Sequence, residues 1–170
     1  VNELRRFLPE RILEVLLRHQ VRFILIGGVA AQAHGSPIIT ADLDICYARD
    51  KDDLERLAAA LAELGATRRG LPHDAPRMPP LDTRTLRAGG LFTLTTVFGD
   101  FAVLATPDPG FDFERLLKHA VFTTVHGNTI AVASLEDLIA MKRAAGRPKD
   151  RIMLEHLGAL REEIDRRGPT

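Results

Sequence analysis

The stretch Ile24-Leu-Ile-Gly-Gly-Val-Ala-Ala-Gln-Ala-His-Gly-Ser-Pro-Ile-Ile-Thr-Ala-Asp-Leu-Asp-Ile45 decides how the chain is read. Val21 to Ile26 is a short, β-branched-rich run ended by Gly27-Gly28, which predicts a buried strand. Val29 to His34 predicts a short alanine-rich helix, stopped by Gly35 and Pro37. Asp42 to Ala48 predicts a second strand. Carboxylates are poor strand formers and costly to desolvate. Strand alternation nevertheless puts Asp42 and Asp44 on one face, with Leu43 and Ile45 on the other. Two carboxylates that close repel each other, and one keeps its proton unless a cation sits between them. A hard divalent cation answers that need, since magnesium typically takes one or two carboxylates plus substrate phosphates. The plainer alternative makes Asp42 a turn or cap residue and Asp44 a surface residue on an edge strand.

The glycine pair ends a strand and opens a helix, where free backbone N–H groups and the helix dipole favour a phosphate. Residues without a Cβ let a phosphate approach the backbone closely. Gly27-Gly-Val-Ala-Ala-Gln32 lacks the Gly-X-Gly-X-X-Gly spacing of a dinucleotide site, and no Gly-Lys-Ser/Thr follows to make a Walker-type loop. Thr40, just before the carboxylate strand, either hydrogen-bonds phosphate or ends a turn.

Outward from this centre, Pro9 to His19 shows helical apolar spacing with proline in the first turn. Lys51 to Leu64 is an amphipathic helix closed by Gly65. Residues 67–90 hold four prolines and no sustained period, and Arg68, Arg69, Arg77, Arg84 and Arg87 outweigh Asp74 and Asp82. This basic segment reads either as a solvated loop with some strand at its ends or as a substrate-facing one. Leu91–Phe98 and Phe101–Ala105 predict a hairpin around Gly99-Asp100. Phe111 to His119 predicts a short helix, and Val121–Val125 and Thr129–Val132 predict strands around His126-Gly-Asn128. Ser134-Leu-Glu-Asp137 is a capping start for a helix to about Ala145, and a last helix runs from about Lys149 to Arg166. The sum is an α/β (α+β) fold: a single domain over 1–170, with a mixed β-sheet flanked by helices and a helical C-terminal extension at about 134–166.

The 170 residues suffice to bury a core, and the zero net charge gives no sign of a nucleic-acid, membrane or acidic partner. The single cysteine, Cys46, excludes an internal disulfide and a multi-cysteine zinc site, and its apolar neighbours predict a buried, inert thiol. No apolar run is long enough to span a bilayer, and Val1-Asn-Glu-Leu-Arg-Arg6 lacks the apolar core of a secretory signal. The reading from sequence is a cytoplasmic protein. His34 reads as a capping or packing residue, and His19, His73, His119, His126 and His156 show no metal-ligand spacing.

Leu25-Ile-Gly27-Gly28, a short helix, and Thr40-Ala-Asp42-Leu-Asp44-Ile45 together resemble the signature of the DNA polymerase β-like nucleotidyltransferase superfamily. The thirteen residues Val29 to Ala41 lie at the long end of that family's spacing. Leu135-Glu-Asp-Leu-Ile-Ala-Met-Lys142 followed by Arg147-Pro-Lys-Asp150 is similar to the C-terminal part of its small bacterial branch of uncharacterised and toxin-type members. What the resemblance implies is a magnesium (or manganese) dependent transfer. Asp42 and Asp44 would hold two magnesium ions bridging a nucleoside triphosphate such as ATP, Gly27 and Gly28 would support its phosphates, and Lys142 would face the triphosphate or the leaving pyrophosphate. A hydroxyl of an RNA, protein or small molecule would displace pyrophosphate and receive the nucleoside monophosphate. A toxin-type member would also have an antitoxin as partner.

The chain departs from the family pattern at a third acid, which there follows Gly-X-X and binds metal and activates the hydroxyl. Gly99-Asp-Phe-Ala102 puts Ala102 in that place. Asp100, two residues earlier, either substitutes for it or is a turn residue at an exposed tip. Two further readings therefore stand beside the enzyme. One is a catalytically weakened or inactive relative that binds nucleotide or a partner protein, and the other is an interaction module in which Asp-X-Asp is incidental.

Overall fold

A computed structural model describes residues 6–70 and 78–168. His73, Asp74 and Arg77 of the basic segment lie outside the described residues. The elements in chain order are α1 (Pro9–Arg18), β1 (Phe23–Ile26), α2 (Gly27–Ala33), β2 (Asp42–Tyr47), α3 (Lys51–Glu63), β3 (Thr67–Arg68) and α4 (Thr83–Ala88). Then follow β4 (Leu91–Thr96), β5 (Gly99–Leu104), α5 (Phe113–His119), β6 (Val121–Val125), β7 (Asn128–Val132), α6 (Leu135–Ala145) and α7 (Asp150–Arg167).

All seven strands join one mixed sheet in the order β3-β4-β5-β2-β1-β7-β6. β2 runs parallel to β5 and β1 parallel to β7, while the remaining pairs are antiparallel. β1 is buried along its whole length because it lies inside the sheet, so its sequence is a continuous apolar run with no alternation. β2 differs at its start, where Asp42 and Asp44 are half-buried between fully buried Leu43 and Ile45. The core gathers Ile12, Leu13 and Leu16 of α1, the central strands, and Leu54, Leu57 and Leu61 of α3. α6 begins at Ser134, whose side chain accepts a hydrogen bond from the Asp137 N–H at 3.1 Å, and ends at Gly146 in the left-handed region. α7 packs on α6, with Leu157 fully enclosed and Met153 and Leu154 partly so. No helix among the described residues is long and apolar enough to cross a membrane.

Two expectations need correction. The β4–β5 turn is Val97-Phe98, and Gly99-Asp100 already belong to β5. Gly99 is there for space: with φ +118°, a Cβ on it would meet Phe7 at 3.0 Å. The turn is fixed instead by Thr96, whose hydroxyl donates to the Gly99 carbonyl at 2.8 Å and accepts from the Phe98 N–H at 3.1 Å. The second correction is α4, which lies within the segment read as loop. It is started by Asp82, whose side chain accepts from the Thr85 N–H at 2.9 Å, and it buries only Leu86. Tyr47 donates its hydroxyl to the Leu86 carbonyl at 2.9 Å, which ties this short helix to β2.

Cys46 is fully enclosed, and burial, with the Asp112 charge behind it, pushes its thiol up to about 12. That is the inert thiol the sequence predicts.

Candidate active site

The sheet register lays the candidate residues out as a grid. One row runs Arg69–Thr93–Ala102–Asp44: the Arg69 N–H donates to the Thr93 carbonyl at 2.9 Å, Thr93 pairs with Ala102, and Ala102 pairs with Asp44. The next row runs Thr67–Thr95–Asp100–Asp42. Paired residues on neighbouring strands point to one face, so both rows face the same side of the sheet. A cleft of about 430 Å³ opens over the first row and over Asp42. Its opposite wall comes from α6, the α6–α7 connection and the start of α7, through Met141, Lys142, Arg147, Asp150 and Met153.

Gly27 and Gly28 form the end wall, and neither tolerates a side chain. A Cβ on Gly27, at φ +69°, would fall inside the Asp44 carboxylate. One on Gly28 would meet the Thr40 hydroxyl oxygen at 2.6 Å. The glycines therefore bring the start of α2 against the aspartate strand, which is a packing demand independent of any ligand. Thr40 donates its hydroxyl to the Asp42 carboxylate at 3.0 Å and so orients it.

Asp44 carries the strongest electrostatic signal in the cleft. Burial, reinforced by the Asp42 charge, pushes its carboxyl up to about 7, against the smaller opposing pull of Lys142, Arg69 and Arg147. A carboxylate in that position is short of positive charge.

The helix side is organised around Asp150. Its carboxylate is almost fully enclosed and accepts from Lys142 Nζ at 3.1 Å and Arg147 Nε at 2.8 Å. Burial alone would raise this carboxyl, but hydrogen bonds from Arg147 and Lys142, together with their charges, hold it below the ordinary aspartate range. Lys142 is therefore not a freely solvated helix lysine: it lines the cleft, and its side chain keeps a quarter of its exposure. Asp108, also in the cleft wall, has its carboxyl raised by burial.

Asp100 is not a tip residue. It lies in β5 beside Asp42, accepting from the Thr95 hydroxyl at 3.1 Å and from Arg69 Nη1 at 2.5 Å. The place beside Asp44 belongs to Ala102. Among the described residues no group of three or more His, Cys, Asp and Glu side chains is placed to hold a metal ion. Asp42 and Asp44 are the residues that could hold a hard cation, and the donor set does not fit a three-carboxylate cradle. His34, as the sequence predicts, packs: its Nε2 meets the Ala133 carbonyl at 2.8 Å.

Reading the sequence alone leaves out Arg69 as an individual cleft residue, and Asp108 altogether. Arg69 was visible only as one of five arginines in a basic segment, and Asp108 carried no signal.

The sheet order, the helices on it and the cleft at the β2–β5 row define a nucleotidyltransferase-like fold. The comparison that shows this is with a crystal structure described as "a putative nucleotidyltransferase (TM1012) from Thermotoga maritima". The two superpose with a TM-score of 0.55 over 91% of this chain and 96% of that one, at 17% sequence identity. At that identity the likeness is one of fold. No protein-family model and no curated protein sequence matches the chain.

Proposed function

We propose that this protein is a magnesium-dependent nucleotidyltransferase that moves a nucleoside monophosphate from a nucleoside triphosphate to a hydroxyl group. The observation that carries the reading is Asp44: a carboxyl short of positive charge, beside Asp42, against a glycine that has no room for a side chain. In this reading Asp42 and Asp44 hold a magnesium or manganese ion, which when bound neutralises charge on the phosphates being separated. Gly27 and Gly28 give those phosphates backbone to lie against. Lys142 and Arg147, anchored by Asp150, face the β- and γ-phosphates and stabilise the charge that accumulates on pyrophosphate as it leaves. The acceptor oxygen bonds to the α-phosphorus as the bond to the bridging oxygen breaks. Ala102 cannot take the hydroxyl proton, so in this reading the proton is released to solvent without a carboxylate at that position to receive it. The acceptor is an RNA, a protein or a small molecule, and an antitoxin-like partner belongs to the same reading.

A second reading rests on Ala102. With no carboxylate beside Asp44, the protein binds a nucleotide or a partner protein and turns over slowly or not at all.

The test is incubation with each of four labelled nucleoside triphosphates, magnesium or manganese, total RNA and cell lysate, alongside the Asp42→Ala/Asp44→Ala protein. Label transferred by the wild type and reduced by at least about 100-fold in the double variant supports the enzyme. Metal-dependent nucleotide binding without transfer supports the second reading, and absence of binding sinks both.

A further inference from the structure

The grid of side chains over the cleft places a guanidinium close to where a third acid would be useful. In the row Arg69–Thr93–Ala102–Asp44, the two strands carrying Thr93 and Ala102 present a hydroxyl and a methyl, so nothing bulky separates the arginine from the aspartate. Neighbouring strands lie about 4.8 Å apart, so Arg69 reaches over β4 to Asp100 on β5, two spacings away, and ends one strand short of Asp44 on β2. Arg69 is held at two points. Its backbone N–H is bonded to Thr93, and its guanidinium is bonded to Asp100, which Thr95 holds in turn. Its side chain is 44% exposed and lines the cleft, and its charge acts on Asp44 across the row. On the facing wall, Asp150 fixes Lys142 and Arg147 in the same manner. Asp100 and Asp150 are thus each spent on a basic side chain, whereas Asp108, elsewhere in the cleft wall, has no ion-pair partner among the described residues.

We infer that Asp100 is a positioning residue that aims the Arg69 guanidinium into the cleft, where Arg69 with Lys142 and Arg147 supplies the positive charge of a second divalent ion, so that the site takes one cation per nucleotide. This rests on the nucleotidyltransferase reading above. Guanidinium suits the task because its planar fork can bond Asp100 on one edge and present its remaining N–H groups to a phosphate on the other. Ammonium and guanidinium charges fixed by buried or half-buried carboxylates need no reorganisation when the triphosphate arrives. A second divalent ion beside Asp44 would meet the Ala102 methyl group where a third carboxylate would serve it, with Arg69 on its own wall and Lys142 and Arg147 on the facing one.

The test counts manganese by electron paramagnetic resonance in the complex of the full chain with α,β-methylene-ATP, -CTP, -GTP and -UTP, and measures nucleotide affinity by calorimetry. The expected result is one manganese per bound nucleotide in the wild type and two in Ala102→Asp. Asp100→Asn and Arg69→Ala should each weaken nucleotide binding about tenfold while the count stays at one, and Arg69→Lys should recover part of the loss. Two manganese ions in the wild type would overturn the inference and leave the nucleotidyltransferase reading standing. So would an Asp100→Asn protein that loses its manganese, or one that melts earlier yet binds nucleotide as tightly as wild type. Absence of nucleotide binding to the wild type overturns both.

Discussion

Asp44 and Asp150 sit on opposite walls of one cleft, and both are carboxylates drawn largely out of water. Asp150 comes with its own cations, Lys142 and Arg147, and its carboxyl is held below the ordinary range. Asp44 has Asp42 as its nearest charged neighbour along the strand, and burial leaves it at about 7. Folding therefore satisfies one wall and leaves the other in deficit. A carboxylate in deficit costs stability, and the cost is a reason to expect a ligand that relieves it. The difference separates scaffold from candidate site: Asp150 is satisfied within the helix wall, whereas Asp44 is left short of positive charge.

Removing Asp150 should have the largest effect on stability. Asp150→Ala leaves Lys142 and Arg147 without the carboxylate that pairs them, and opens a polar void at the α6–α7 junction. Breaking a buried pair costs about 3–5 kcal/mol, and the exposure of Arg147 brings the expectation here to about 2–4 kcal/mol. Chemical denaturation at pH 7 measures this directly. Because its folded carboxyl is depressed, the contribution of Asp150 is present above the unfolded value and is lost as pH falls through the folded one. A variant as stable as wild type would mean that the helix wall does not depend on this pair.

Asp44→Asn should act with the opposite sign. The folded carboxyl is raised from 3.8 to about 7, so the folded state keeps a proton that the unfolded chain gives up. Wild-type stability therefore falls as pH rises from about 4 towards 7, and the penalty is complete above that. In metal-free buffer Asn should stabilise the protein by on the order of 2 kcal/mol at pH 8 and by almost nothing at pH 4. The full shift would give more, but cleft water screens a half-buried group. A pH-independent gain would point to packing, and no gain would erase the contrast with Asp150.

How far the sequence discloses this arrangement depends on the range of the interactions involved. β1, α2 and β2 are legible because their signals are local: an apolar run, a glycine pair, and alternation across Leu43 and Ile45. Ser134 and Gly146 mark the ends of α6 for the same reason. α4 is hidden because it buries one side chain, Leu86, among prolines and arginines. Gly99-Asp100 misleads because the glycine answers to Phe7, more than ninety residues away, and not to a turn. Asp42 and Asp44 stand out through their conflict with strand propensity. Arg69 does not, because its neighbours Thr93, Ala102 and Asp44 meet it only across four strands.

Thr40 offers the finest test of the strand wall. Its hydroxyl donates to Asp42 at 3.0 Å and its side chain packs on Gly28, so one residue links the glycine turn to the acid pair. Thr40→Val keeps the shape and removes the donor. A hydrogen bond to a charged acceptor at a half-buried position is worth about 1 kcal/mol, and a loss of that size is expected in denaturant unfolding. Thr40→Ser keeps the donor and gives up a methyl against Gly28. If orientation of Asp42 is what Thr40 contributes, Val should weaken manganese–nucleotide binding more than Ser does, whatever their order in stability. The reverse ranking would assign Thr40 to packing alone and leave Asp42 free to turn.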